Sequence, residues 1–313
     1  VAAPDVDKTP SPWATHRRRA EVLREHHPFA AEVLTVYLAL LDVWEDGWFL
    51  AREEQPEPRQ LARWTAERVL PRVVKATEAT GPESLAAAVH ELLDAGRLEE
   101  SLAAWLAGAE LPPVERYLAR ASLLAPLVAL EADAGAACAD DPSPKDGGRC
   151  PGCGGQPQLS FRSHAEDRLV SGRRHLICAR CGQSWNYSGS SCPSCGETSG
   201  SRRTVYAERR DGPVVGHDAA AARGRSGAEP EGQRPDVVGT DDHEANADAQ
   251  ADTPTFPHLR IDACASCERY LIDVDLGRDP RAVPEVDELA AMPLDLYATE
   301  HGLSKITPNL MGF

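Results

Sequence analysis

From Trp13 to Gly135 the apolar positions recur with a helical period, most clearly between Pro28 and about Glu53. Phe29, Val33, Tyr37, Leu40, Trp44 and Trp48 stand four, four, three, four and four residues apart, which places all six on one stripe of a 3.6-residue helix. Burying each contributes about 1.5–3 kcal/mol before the entropy cost, enough to dock the helix. Such a stripe is core rather than a cofactor site. Pro28 suits the first helical turn, where its missing N–H is not needed. Leu61, Trp64, Val69 and Val73 continue the pattern over Arg59–Lys75, with Pro71 expected to kink or split that helix. Pro82 opens another through Leu85, Val89 and Leu92, ended by Gly96. Leu98, Leu102, Trp105 and Leu106 form a short one, and Pro112-Pro113 starts one through Tyr117, Leu118, Leu124 and Val128. Helices joined by such short turns predict an α-helical bundle over 13–137. Residues 1–12, with Pro4, Pro10 and Pro12, are expected to be disordered. His26 and His27 have no companion ligands nearby and read as turn residues.

A Pro/Gly/Asp linker over 138–148 ends the helical pattern, and the period then becomes strand-like. Gln158–Arg162, His175–Cys178, Trp185–Tyr187, Thr204–Ala207, Leu259–Ala263 and Tyr270–Val274 are short, partly β-branched or aromatic, and bounded by turn residues. Asp211–Pro254 differs: it is rich in Ala, Gly, Asp, Glu and Pro and nearly devoid of large apolar side chains. It cannot bury enough surface to offset its ordering entropy and is expected to be a disordered insertion, 211–254, within a hairpin. In the tail, 276–313, Leu289, Met292, Leu296 and Leu303 predict one short helix and an irregular remainder.

The chemistry lies in the cysteines. Eight of the nine form CxxC pairs: Cys150/Cys153, Cys178/Cys181, Cys192/Cys195 and Cys264/Cys267. Metal knuckles use this spacing, whereas an extracellular disulfide framework rarely spaces every half-cystine so. Two thiolates from such a turn can face one ion while backbone N–H groups bond back to sulfur. A Gly after the second Cys eases the turn because it tolerates positive φ; Gly154, Gly182 and Gly196 stand there, and Glu268 takes that place in the fourth pair. The chain repeats one unit of knuckle, two strands, knuckle and an aromatic third strand (Trp185, then Tyr270). In-order reading assigns Cys150, Cys153, Cys178 and Cys181 to a first site in a ribbon over 149–190. It assigns Cys192, Cys195, Cys264 and Cys267 to a second, in a ribbon over 191–275. An interleaved pairing is the alternative. Four thiolates suit Zn²⁺ or a single rubredoxin-type Fe, so two metal ions, Zn or Fe, are expected. Cys138 reads as a free thiol without a role.

Net charge changes the picture only modestly. At −16 over 313 residues, the overall field argues against nucleic-acid binding. Around the first ribbon, however, Arg149, Arg162, Arg168, Arg173, Arg174 and Arg180 outnumber Glu166 and Asp167, which reads as a solvated basic face that could equally receive an acidic peptide. Asp273, Asp275, Asp279, Glu285, Asp287 and Glu288 make the second ribbon and tail acidic, which would repel a phosphate backbone. No stretch approaches the roughly 18 apolar residues a membrane span needs. Val1–Pro10 has neither a basic n-region nor an apolar h-region, so no signal peptide is expected there and a cytoplasmic location is. The absence of GxSxG, HExxH, a phosphate-binding Gly loop or a paired-acid motif leaves catalysis without a visible seat. The chain therefore reads as a non-enzyme, with a zinc-ribbon nucleic-acid binder and a thiol redox protein as rival classes.

The runs CPGCGGQPQLSF, RRHLICARCGQSW, SSCPSCG and ACASCERYLIDVD, followed by DELAAMPLDLYATEHGLSKITPNLMGF, resemble the formate dehydrogenase accessory protein family, FdhE. HPFAAEVLTVYLALLDVW is similar to the helical part of the same family. The resemblance implies a cytoplasmic maturation factor, chaperone-like toward one client. That client would be the molybdenum- or tungsten-containing catalytic subunit of formate dehydrogenase. It also implies rubredoxin-like metal sites, which map onto the eight paired cysteines. The 211–254 insertion is longer than the family pattern. The expected fold is thus α+β: an N-terminal α-helical bundle, two tandem rubredoxin-like or zinc-ribbon modules, and a short C-terminal tail.

Overall fold

The computed structural model describes residues 11–138, 147–164, 172–209, 212–218 and 254–312. The expectations for residues 1–10, for most of the linker (139–146) and for 219–253 of the insertion lie outside these, as do Glu166, Asp167 and Arg168.

Seven helices form the N-terminal part: α1 (Ala14–His26), α2 (Ala31–Glu54), α3 (Leu61–Arg68), α4 (Leu70–Thr80), α5 (Glu83–Asp94), α6 (Leu98–Leu106) and α7 (Pro113–Leu130). α2 packs against α1, α4 and α7. Of its expected stripe, Tyr37, Leu40, Trp44 and Trp48 are buried, and Trp44 Nε1 donates to Ala121 O of α7 at 2.7 Å. Phe29 departs from the stripe. It sits in a 3-10 turn (Pro28–Ala30) before α2 and remains half-exposed, its ring meeting His27 and Phe256. The break expected at Pro71 falls at Val69, and Pro71 occupies the first turn of α4, where a missing N–H costs nothing.

The C-terminal part is one continuous sheet. Its strands are β1 (Pro157–Arg162), β2 (Arg174–Cys178), β3 (Ser184–Asn186), β4 (Arg203–Arg209), β5 (Gly212–Asp218), β6 (Leu259–Cys264), β7 (Arg269–Asp275) and β8 (Ser304–Lys305). They lie in the order β3-β2-β1-β7-β6-β4-β5, with β8 also on β7. All six strands expected from the sequence are present. β5 was not expected: the first residues of the apolar-poor stretch pair antiparallel with β4. The two ribbons are therefore fused edge to edge. β1 of the first pairs parallel with β7 of the second, Ser160 opposite Asp273 and Arg162 opposite Asp275.

Charged groups fix that seam. Asp273 is fully buried and accepts from Ser160 Oγ at 2.6 Å, Arg162 Nε at 2.9 Å and Arg260 Nε at 2.7 Å. Burial alone would raise its carboxyl, but Arg260, Arg162, Arg174 and the Ser160 hydroxyl outweigh this and hold it well below the usual carboxylate range. Arg174 of β2 also reaches Asp262 of β6 at 2.6 Å, and Asp262 pairs with Arg203. Arg162 and Arg174, expected as solvated basic surface, are thus committed to internal carboxylates.

The tail is more regular than expected. It forms α8 (Pro284–Ala290), α9 (Met292–Glu300) and then β8, and α8 packs on α1, β1 and β7. Three of the six acids expected to make the second ribbon and tail acidic are buried here or at the seam: Asp273, Asp287 and Glu288. Asp287 accepts from Arg19 Nε of α1 at 2.9 Å and lies 2.8 Å from His258 Nε2. Glu288 is 2.8 Å from Lys305 Nζ, which also bonds Asp295 at 3.1 Å. Among the described residues one large hydrophobic core spans helices, sheet and tail, and a small second cluster is formed by Leu176, Leu271 and Ile306. Among the described residues no helix is long and apolar enough to cross a membrane.

Candidate metal centres

All four CxxC turns close in the same way. Cys150 N, Cys178 N and Cys192 N donate to the carbonyls five residues on (Gly155, Gln183 and Glu197) at 2.8–2.9 Å, and Cys264 pairs with Arg269 at the head of the β6–β7 hairpin. Gly154, Gly182 and Gly196 donate back to the first Cys carbonyl of their turn. This geometry needs a left-handed residue after the second Cys. Gly154, Gly182 and Gly196 have φ of 71°, 71° and 76°, and Glu268 adopts φ 55° in the fourth turn.

The sulfurs gather in chain order. Cys150, Cys153, Cys178 and Cys181 form one group and Cys192, Cys195, Cys264 and Cys267 the other, all sulfurs of a group within 4.8 Å of one another. The interleaved alternative is not what the fold assembles. Within the first group Cys150–Cys181 and Cys153–Cys178 are 3.7 and 3.4 Å apart; within the second, Cys192–Cys267 and Cys195–Cys264 are 3.8 and 3.7 Å apart. A tetrahedron with metal–sulfur bonds of about 2.3 Å has edges of about 3.8 Å, so both groups have the right dimensions for one ion each. Backbone N–H groups also point at sulfur. Arg180 N lies 3.3 Å from Cys178 Sγ, and those of Ser266 and Cys267 bond Cys264, as expected for turns that hold thiolates. Two metal ions could therefore be held, and the donor set suits Zn and Fe alike. Desolvation pushes the Cys178 and Cys192 thiols up, so loading a cation would displace protons there.

The two clusters differ in surroundings. All four cysteines of the first are buried, and it lies against the helical part: Gly182 faces Leu124 and Val128 of α7, and Gly135 abuts the Gly152 carbonyl. Gly155 leaves no room for a side chain, since a Cβ there would sit 2.6 Å from Cys178 Sγ. In the second cluster Cys195 is exposed and Cys267 partly so. Cys138, expected to have no role, is buried beside the first cluster. Its thiol hydrogen-bonds Cys153, which pushes it up, and burial adds to this. No local signal marked it, because a lone cysteine carries no spacing.

A helical domain fused to one sheet that carries two tetrathiolate clusters defines the class of protein. Within that class the chain is similar to FdhE proteins. The model of the FdhE C-terminal domain matches residues 242–311. A protein named FdhE homolog from Aquifex aeolicus is 26% identical over 164 residues, which cover 52% of this chain and 41% of that one. The FdhE homolog of Pseudomonas aeruginosa is 25% identical over 162 residues, covering 52% and 38%. The matched stretch thus spans less than half the length of these relatives. The crystal structure of the FdhE protein from Pseudomonas aeruginosa is similar in fold, with a TM-score of 0.56 at 20% identity over 99% of this chain and 97% of that one.

Proposed function

We propose that this protein is a cytoplasmic accessory factor for formate dehydrogenase that binds the catalytic subunit during maturation and performs no catalysis itself. Cys150, Cys153, Cys178 and Cys181 would ligate one metal ion, and Cys192, Cys195, Cys264 and Cys267 a second. The observation that carries the reading is the pair of metal-sized tetrathiolate groups on one sheet, in a chain similar to FdhE proteins. Bound ions would act as cross-links that stiffen four turns at little cost in core, so that a binding surface is preorganised. A closed set of four thiolates leaves no coordination position for a substrate. The nucleic-acid alternative loses part of its support, because two of the six arginines counted for it, Arg162 and Arg174, pair with Asp273 and Asp262.

The test is a pull-down of formate dehydrogenase catalytic subunit by the full chain, with metal content measured on the same preparation. Replacing Cys192 and Cys195 together by Ser should release one ion and abolish capture while the helical part stays folded. Undiminished capture by that variant, or full formate dehydrogenase activity in a host lacking this gene and any relative of it, would overturn the reading.

A further inference from the structure

A cleft of about 310 Å³ opens where the α6–α7 connection, the first two cysteine turns, the start of β7 and the segment after β8 meet. Its lining is strongly basic in a chain of net charge −16: Arg116, Arg149, Arg180 and Arg269 contribute to it, and Glu110 is the single acid there. Lys305 also lines it, but its ammonium is engaged by Glu288 and Asp295. Among the described residues no carboxylate lies within ion-pair distance of the four arginines. Arg180 is buried beneath the Trp105 ring, 5.9 Å from its centroid. Its Nη1 donates to the Cys153 carbonyl at 2.9 Å, its guanidinium also hydrogen-bonds the Cys138 thiol, and its Nε has no partner. Arg269 has only the Lys305 carbonyl, at 3.4 Å.

Two further buried polar atoms of the lining, Trp105 Nε1 and Thr307 Oγ1, are likewise without partners. Such groups are costly to leave unpaired, and a buried cation without a counter-ion more so. A filled tetrathiolate site carries net negative charge and would offset Arg149 and Arg180, which flank the first cluster. Arg116 on α7, partly buried, and Arg269 on β7, exposed at the mouth, have no thiolate cluster beside them and are free to meet a ligand. Burial lowers the Arg116 guanidinium more than the nearby Glu110 raises it.

We infer that this cleft is a binding site for an oxyanion, a carboxylate or phosphate group gripped by arginine forks from α7 and β7. Arginine presents paired N–H donors that match both groups, and the volume admits a small anion or one acidic side chain of a peptide but no folded domain. The site does not depend on the accessory-factor reading.

Calorimetric titration of the metal-loaded full chain with inorganic phosphate, citrate and a glutamate-rich peptide tests it. At least one probe should bind, more weakly at high salt. Arg116→Glu and Arg269→Glu should each weaken binding at least tenfold, and Arg116→Lys should retain part of it. Arg63→Glu, the same charge change at an exposed position far along the sequence, should leave it unchanged. Peptide binding tighter than the free anions would assign the source to a protein partner; the reverse order would assign a free metabolite. Should a charge-reversal variant lose its fold, as judged by metal content and circular dichroism, Arg116→Gln replaces it. No binding of any probe, or binding indifferent to Arg116 and Arg269, would overturn the inference.

Discussion

Glu268 is the one residue of its kind among the four cysteine turns, and it offers a clean perturbation of the second metal site. Its φ of 55° is the conformation that glycine provides at 154, 182 and 196. A residue with a Cβ adopts this region at a cost of roughly 1–2 kcal/mol relative to its ordinary conformations. Substituting glycine removes that cost but gives the unfolded chain extra freedom, which takes back about 0.5–1 kcal/mol. Glu268→Gly should therefore stabilise the turn by about 0.5–1 kcal/mol. Glu268 is exposed, and its carbonyl still accepts from Ser304 N after the change, so no packing is lost. Gly196→Ala is the mirror experiment. A Cβ there would meet nothing within 4 Å, so its penalty of similar size comes from the backbone alone. Turn stability is linked to metal affinity, and competition with a chelator should show the second ion held about two- to fivefold tighter in Glu268→Gly and looser by a similar factor in Gly196→Ala. The first ion, in the same molecule, should not respond. Glu268→Ala separates backbone from charge: it removes the carboxylate beside the thiolates yet keeps the strain. If Glu268→Ala tightens the site as much as Glu268→Gly, or if Gly196→Ala is harmless, backbone strain is not what distinguishes the fourth turn.

Chelation should remove the second ion before the first, because Cys195 is exposed while all four cysteines of the first cluster are buried; stepwise metal analysis during dialysis against a chelator checks the order. Asp273→Asn should cost about 3 kcal/mol at neutral pH by leaving the partly buried Arg162 and Arg260 uncompensated, read as faster amide exchange along β1 and β7. Because the folded carboxyl of Asp273 is held below its unfolded value of about 3.9, its contribution is present above that pH and is lost as pH falls through the folded value. The gap between wild type and Asp273→Asn should thus persist at mildly acidic pH and close only in strong acid.

Much of this architecture is written locally. Apolar spacing locates the helices, the proline positions mark their starts, and the CxxC-Gly signature marks three left-handed turns and, by its exception, the fourth. Short β-branched and aromatic runs locate six strands. What escaped has a common cause: it depends on partners distant in sequence. The β1–β7 pairing joins residues more than a hundred positions apart, and β8 is two residues long, so neither leaves a periodic trace. Asp273, Glu288 and Lys305 look like ordinary surface charges because only the fold brings Arg162, Arg260 and each other within reach. The tail's apolar positions, Leu289, Met292, Leu296 and Leu303, are divided between two helices and the segment before β8, with Pro293 in the first turn of α9.

The way the repeated unit is joined explains why its two copies are not equivalent. In each copy the third strand presents an outer edge, β3 in the first and β7 in the second. The β7 edge is filled along its length by β8 and then β1, whereas no described strand pairs on the outer side of β3. The second copy thus takes its anchorage from the first copy and the tail, and its Cys264/Cys267 turn is held at the head of a strand paired on both sides. Its other turn, Cys192/Cys195, follows β3 at the margin of the sheet and is tied back through the Tyr187 hydroxyl, which donates to Cys192 O at 3.0 Å. One half of the second site is therefore fixed within the sheet, and the other is held by side-chain ties, Tyr187 to Cys192 O, Arg174 Nη1 to Ser191 O at 3.3 Å and Ser266 Oγ to Glu197 at 2.7 Å. The first site has no such division, because helix α7 and the end of the helical domain press on its turns. Were both sites loaded, loss of an ion from the first would be felt where helices and sheet meet, and loss from the second chiefly in the Cys192/Cys195 turn. The second site is accordingly the one where metal occupancy can alter the exposed surface without unfolding the protein.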